Sequence, residues 1–82
     1  MKTDTVTFKA EYTDTFAGEA NYCWVHRADV IVPRGLSNRA VARRIKAALG
    51  LTGVRGRSFW LADMWEFRPY GRATVAFAQV DY

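Results

Sequence analysis

One segment of this 82-residue chain reads as a helix, and most of the remainder reads as strand. Ser37 is a good N-cap, Leu36 before it can pack on Val41 as a hydrophobic staple, and Gly50 supplies a stop. The spacing predicts a helix over Asn38 to Leu49, with Val41, Ile45, Ala48 and Leu49 clustered on one face. Arg39, Arg43 and Lys46 line the opposite face, and Arg44 lies on the flank. A chain with one short helix must build its core on a sheet, so that helix has to lie across a sheet face.

The strand patterns supply the sheet. Thr5 to Tyr12 alternates, with Val6, Phe8, Ala10 and Tyr12 on one side and Thr7, Lys9 and Glu11 on the other. Thr13 to Asn21 is small, polar and contains Gly18, and it reads as a loop that is long for a hairpin connection. Tyr22 to Val32 is a second strand, placing Trp24, His26, Ala28, Val30 and Val32 on one face; Pro33, Arg34 and Gly35 then turn the chain. After the helix, Leu51 to Arg57 is a glycine-punctuated connector. Ser58 to Ala62 and Met64 to Arg68 read as two short strands around Asp63 or as one bent strand, with a turn at Pro69-Tyr70-Gly71. Ala73 to Val80 is apolar on both faces and is expected to be central.

The expectation is one α+β domain over residues 1–82: a mostly antiparallel sheet of four to five strands with one helix packed on one face, in the order ββαββ(β). A single helix covers only one sheet face. Either the Thr13 to Asn21 loop covers the other, or another molecule does, a homodimer being the commonest arrangement.

Several function classes are set aside by composition. The single cysteine, Cys23, cannot form an internal disulfide, and no second Cys or His stands at metal-ligand spacing, so neither a metal nor a cofactor is expected. Cys23 and His26, three apart on a strand, fall on opposite faces with no third orienting group, and they read as a core cysteine and a half-buried histidine. No pair of acids is spaced for general acid and base work. A non-enzyme is expected, with no catalytic residue. No apolar run approaches the ~20 residues that span a bilayer, and the N-terminal stretch lacks the apolar centre of a secretion signal. A cytoplasmic protein without membrane contact is expected.

Charge points toward a function. The chain carries a net +4, unevenly spread: residues 1–29 hold three cations against five acids, and residues 63–82 two against three. Residues 30–62 hold seven cations and no acid, arginine outnumbering lysine six to one. Arginine's planar fork pairs bidentately with phosphate and carboxylate, and a merely solvated helix face normally mixes signs. Arg39, Arg43 and Lys46, extended by Arg34, Arg44, Arg55 and Arg57, thus form a candidate partner-binding stripe for phosphates or an acidic protein surface. Trp60, Trp65, Phe67 and Tyr70 lie close by in sequence, either as core or as a stacking platform, and Tyr70 is a candidate interface anchor. Gly50, Gly53 and Gly56 follow a helix rather than opening one, which suits a connector better than a phosphate cradle.

The stretch YTDTFAGEANYCWVHR (Tyr12 to Arg27), followed by a helix ending KAALGLTGVRGR, resembles small orphan proteins of proteobacterial phages and mobile elements, and among them the type I-C anti-CRISPR proteins. The resemblance implies a non-enzymatic inhibitor that binds a type I CRISPR surveillance (Cascade) complex in the bacterial host cell and blocks target DNA recognition. Many anti-CRISPR proteins are acidic and mimic DNA. This chain is basic, so the resemblance implies that it engages an acidic patch on a Cas subunit, or nucleic acid within the complex. The residues alone leave open a second function: a small basic nucleic-acid-binding protein acting through the same arginines.

Overall fold

The computed structural model describes residues 4–81. Five strands and one helix follow in the order β1 (Thr5–Phe16), β2 (Glu19–Pro33), α1 (Asn38–Ala48), β3 (Gly56–Leu61), β4 (Met64–Pro69) and β5 (Thr74–Val80). The strands form one antiparallel sheet in the order β2-β1-β5-β4-β3, with α1 on one face. The last strand lies in the middle, as its two-sided apolar pattern predicts. The chain is an α+β protein in which β3 and β4 are two separate strands joined at Ala62-Asp63.

Register explains the core. Phe8 pairs with Val30 on one side and Val80 on the other; Ala10 pairs with Ala28 and Ala78. Trp65 lies across from Ala78 and Phe67 across from Ala76. Alanines thus occupy the middle of the covered face, while Trp65 and Phe67 fill the side toward β3, stacked at 5.6 Å between centroids and 5° between planes. Trp65 is fully buried, and its indole N–H donates to Ser58 Oγ at 2.6 Å, so the one polar atom of this large side chain is satisfied.

The helix ends follow their sequence signals. Ser37 Oγ accepts from the Ala40 N–H at 3.2 Å. At the other end Gly50 takes φ 76, Leu51 N–H donates to Lys46 O at 2.7 Å, and Gly50 N–H donates to Ala47 O at 3.2 Å. That is the paired closure that glycine's freedom at positive φ permits. The buried stripe centres nearer Ile45 and Leu49 than the sequence suggests, so Ala42 at one border is half-buried and Ala48 at the other is exposed.

The expected Thr13 to Asn21 loop does not exist. β1 and β2 run on as one long hairpin closed by Ala17 (φ 54) and Gly18 (φ 85), a two-residue turn of the kind that matches strand twist. Polar residues can continue the strand here because a bulge between Thr13 and Thr15 gives them partners. The buried Thr13 hydroxyl donates to Trp24 O at 2.8 Å and accepts from Tyr22 N–H at 3.1 Å. Asp14 accepts from Cys23 N–H and from the Asn21 amide, both at 2.9 Å. These bonds lower the Asp14 carboxyl below its ordinary 3.8, the Asn21 amide first, and they hold Tyr22 at φ 61.

The bulge turns the hairpin end toward the sheet face opposite the helix. There Arg68 Nη1 donates to Gly18 O at 2.9 Å, and the Tyr22 ring meets Phe77 edge-on at 6.3 Å. Desolvation, and then the charge of Glu11, raise the Tyr22 phenol above its ordinary value. Thr13 to Asn21, one of the two covers the sequence leaves open for the second face, reaches it as hairpin rather than loop, and Val75 on that face is buried. Ile31, Phe59 and Leu61 on the same face stay exposed. Cys23 and His26 are both exposed, not the core and half-buried residues expected, because the bulged hairpin carries them beyond the helix.

Candidate functional site

The helix packs on the β2 side of the sheet, and the connector after it runs beside Phe67 and Tyr70 into β3, whose helix-side face is left open. Between them runs an open groove of about 1140 Å³, larger than a typical small-molecule site of ~300–1000 Å³. Arg39, Arg43 and Lys46 form the helix wall, with Ala42 and Ala47 set back between them. Arg55 and Gly53 belong to the connector wall, Ser58, Trp60 and Phe67 line the sheet side, and Tyr70 stands at the end. Small alanines among large cations give the groove its depth. No acid lines it among the described residues.

Each wall is anchored differently. Trp60 packs edge-on against Phe8 at 6.0 Å, so one side of its half-buried ring is fixed to the core while the residue still borders the groove. Tyr70 is held through its backbone, its N–H donating to Arg55 O at 2.9 Å, while its side chain is mostly exposed. Lys46 is committed to the fold: Nζ donates to Val54 O at 2.7 Å and sits 4.5 Å from the Phe67 ring centroid. It clips the connector to the helix, leaving Arg39, Arg43 and Arg55 as the groove's exposed cations.

Of the eight residues the sequence nominates, the structure brings five together: Arg39, Arg43, Lys46, Arg55 and Tyr70. The other three do not continue the stripe. Arg34, in the turn before the helix, faces β1 instead, its guanidinium donating to Thr5 O at 3.2 Å, and lines a separate pocket with Val6 and Val41. Arg44 lies beyond the opposite border of the buried stripe, because 100° per residue carries it well away from Arg43. Arg57 pairs with Arg68 and points to the opposite sheet face, one residue out of phase with Ser58. Of the four aromatics considered for stacking, Trp65 and Phe67 are core, and Trp60 and Tyr70 border the groove accessibly. The polar lining by Asn38, Thr52 and Ser58 has no sequence signal.

Gly56 is more constrained than a flexible connector residue. A Cβ there would collide with the Arg68 carbonyl and the Pro69 Cα, so glycine is what lets β3 start tight against β4. No group of three or more metal-ligating side chains occurs among the described residues, and no helix there is long and apolar enough to cross a membrane. Compared with family models, curated proteins and solved structures, the chain matches none.

Proposed function

We propose that this protein is a non-enzymatic binding protein that seats an anionic macromolecular partner in the groove between α1 and β3, and that it acts as an anti-CRISPR inhibitor of a type I surveillance complex. The observation that carries the reading is the meeting of Arg39, Arg43 and Arg55 with Trp60 and Tyr70 along one groove that no acid lines among the described residues. Arginine and aromatic side chains are the usual energetic centres of protein interfaces, and arginine forks suit carboxylate and phosphate alike. Docking there places this chain against an acidic Cas surface or the nucleic acid path of the complex, which would deny target DNA its site.

The test mixes purified chain with a purified type I surveillance complex and follows co-elution and target-duplex binding. Co-elution with loss of duplex binding is expected. A chain that neither co-elutes nor alters duplex binding contradicts the inhibitor reading.

A second reading, direct binding of single-stranded nucleic acid, is favoured by Trp60 and Tyr70 bordering a basic groove, where bases can stack. Salt separates the two. Phosphate binding weakens with a log-log slope of roughly 0.7 to 0.9 per contacted phosphate, whereas an interface anchored by buried aromatics weakens less. Tight binding of a single-stranded oligonucleotide at physiological salt, without any protein partner, would favour this second reading.

A further inference from the structure

The two outer strands of the sheet are protected unequally. β2 ends in Pro33, which has no N–H to offer; it is bulged at Tyr22 (φ 61), and it carries Glu19, Arg27 and Asp29. Each of these discourages addition of another strand. β3, with the sequence GRSFWL, has no proline, no bulge and no acid, and its register against β4 is unbroken from Gly56 to Leu61. Among the described residues its outer edge pairs with no strand. Phe59 and Leu61 project from it on the face opposite the helix, 48% and 66% exposed, with Met64 across from Leu61.

We infer that β3 is a dimerisation edge, pairing antiparallel with β3 of a second copy of this chain. Identical strands meeting antiparallel about a two-fold axis are self-complementary by construction. Centred on Phe59, the pairing sets Phe59 against Phe59 of the partner subunit and Leu61 against Arg57 of the partner subunit. The two Arg57 positions then stand four residues apart along the strands, about 14 Å, beyond the ~8 Å screening length at physiological salt. The only charge in the strand is thus kept from opposing itself, while the exposed Phe59 and Leu61 gain cover. An axis perpendicular to the sheet leaves both helices on one face, so the two basic grooves, each floored by Ser58 and Trp60, open toward a common seam.

Sedimentation of the full chain tests this. Wild type is expected at twice the 9.3 kDa chain mass, and the Phe59→Lys, Leu61→Lys double variant at 9.3 kDa with unchanged circular dichroism. Ile31→Lys, equally exposed on the same face but on β2, is expected to stay dimeric. As an independent measurement, Phe59→Cys in a Cys23→Ser background should give a covalent homodimer on mild oxidation. Wild type at 9.3 kDa at every concentration, a dimer that survives both lysines, or no cross-linked product would each overturn the inference. None of these readouts involves the groove arginines, so failure here leaves the groove reading standing, and the reverse.

Discussion

The two faces of the sheet handle charge in opposite ways. On the face away from the helix, charges answer one another across or along strands: Lys9 with Asp29 at 3.2 Å, Arg27 with Glu11 at 2.9 Å, and Arg68 with Glu66 at 2.7 Å. On the helix side, Arg39, Arg43 and Arg55 border a groove without an acid and join no ion pair among the described residues. Answered charges contribute about 0.2–1 kcal/mol each at exposed sites and help fix register. Unanswered ones oppose the fold: Arg39 in the first helical turn works against the helix dipole by about 0.3–1 kcal/mol, and its repulsion with Arg43 four residues on adds about 0.2–0.5. Helix residues that weaken their own helix and join no ion pair among the described residues are not accounted for by the fold, and a partner would account for them.

Predictions follow from that contrast, the largest first. Stability resides under the helix, so Trp65→Ala should cost about 3–5 kcal/mol, while Ile31→Ala, exposed on the other face and away from β3, should stay within about 0.5 in denaturant melts. Equal losses at the two positions would erase the distinction. Thr13→Val leaves the Trp24 carbonyl and Tyr22 N–H without their partner and should cost about 1–3 kcal/mol, with Tyr22 losing its edge contact to Phe77.

The sharpest contrast concerns sign. Arg39→Glu should stabilise the protein by about 0.3–1 kcal/mol, because an acid suits the first helical turn. Arg27→Glu should destabilise it by about 0.2–1 by breaking its pair with Glu11. Thermal melts of the two single variants moving in the same direction would break the comparison.

The smallest effect is acid sensitivity at the hairpin. The Asp14 pKa is lowered in the fold, so its contribution is fully present above the ordinary 3.8 and is lost as pH falls through the lower folded value. Amide exchange at Asn21 to Cys23 should therefore quicken in that acid window, and Asp14→Asn should remove the dependence.

Much of this was legible in the sequence where local chemistry alone decides. Ser37, Leu36 and Gly50 bracket the helix, and the period-two runs around Phe8, Val30 and Ala76 place the core strands. The hairpin was not legible. Thr13, Asp14 and Asn21 look like loop residues, and only the bulge reveals that they pair with β2 backbone and one another; Ala17-Gly18 also lacks the Asn-Gly signature of a tight turn. The site was half legible. Helical spacing places Arg39 and Arg43 together, but strand phase sends Arg57 to the other face, and the Lys46 clip depends on where the connector folds. Reversing Lys46 would therefore disturb the fold along with the site, which makes the two helix arginines the cleaner probe.

The central claim is that the groove, and not the paired-charge face, is the docking surface. The direct measurement is the affinity of a purified type I surveillance complex for Arg39→Glu/Arg43→Glu and for Lys9→Glu/Arg27→Glu, each verified as folded. At about 1.5–3 kcal/mol per lost charged hydrogen bond, the groove variant should bind at least about 100-fold more weakly than wild type, and the open-face variant within about threefold. Equal affinity for the groove variant and wild type, or a larger loss from the open-face variant, would contradict the claim.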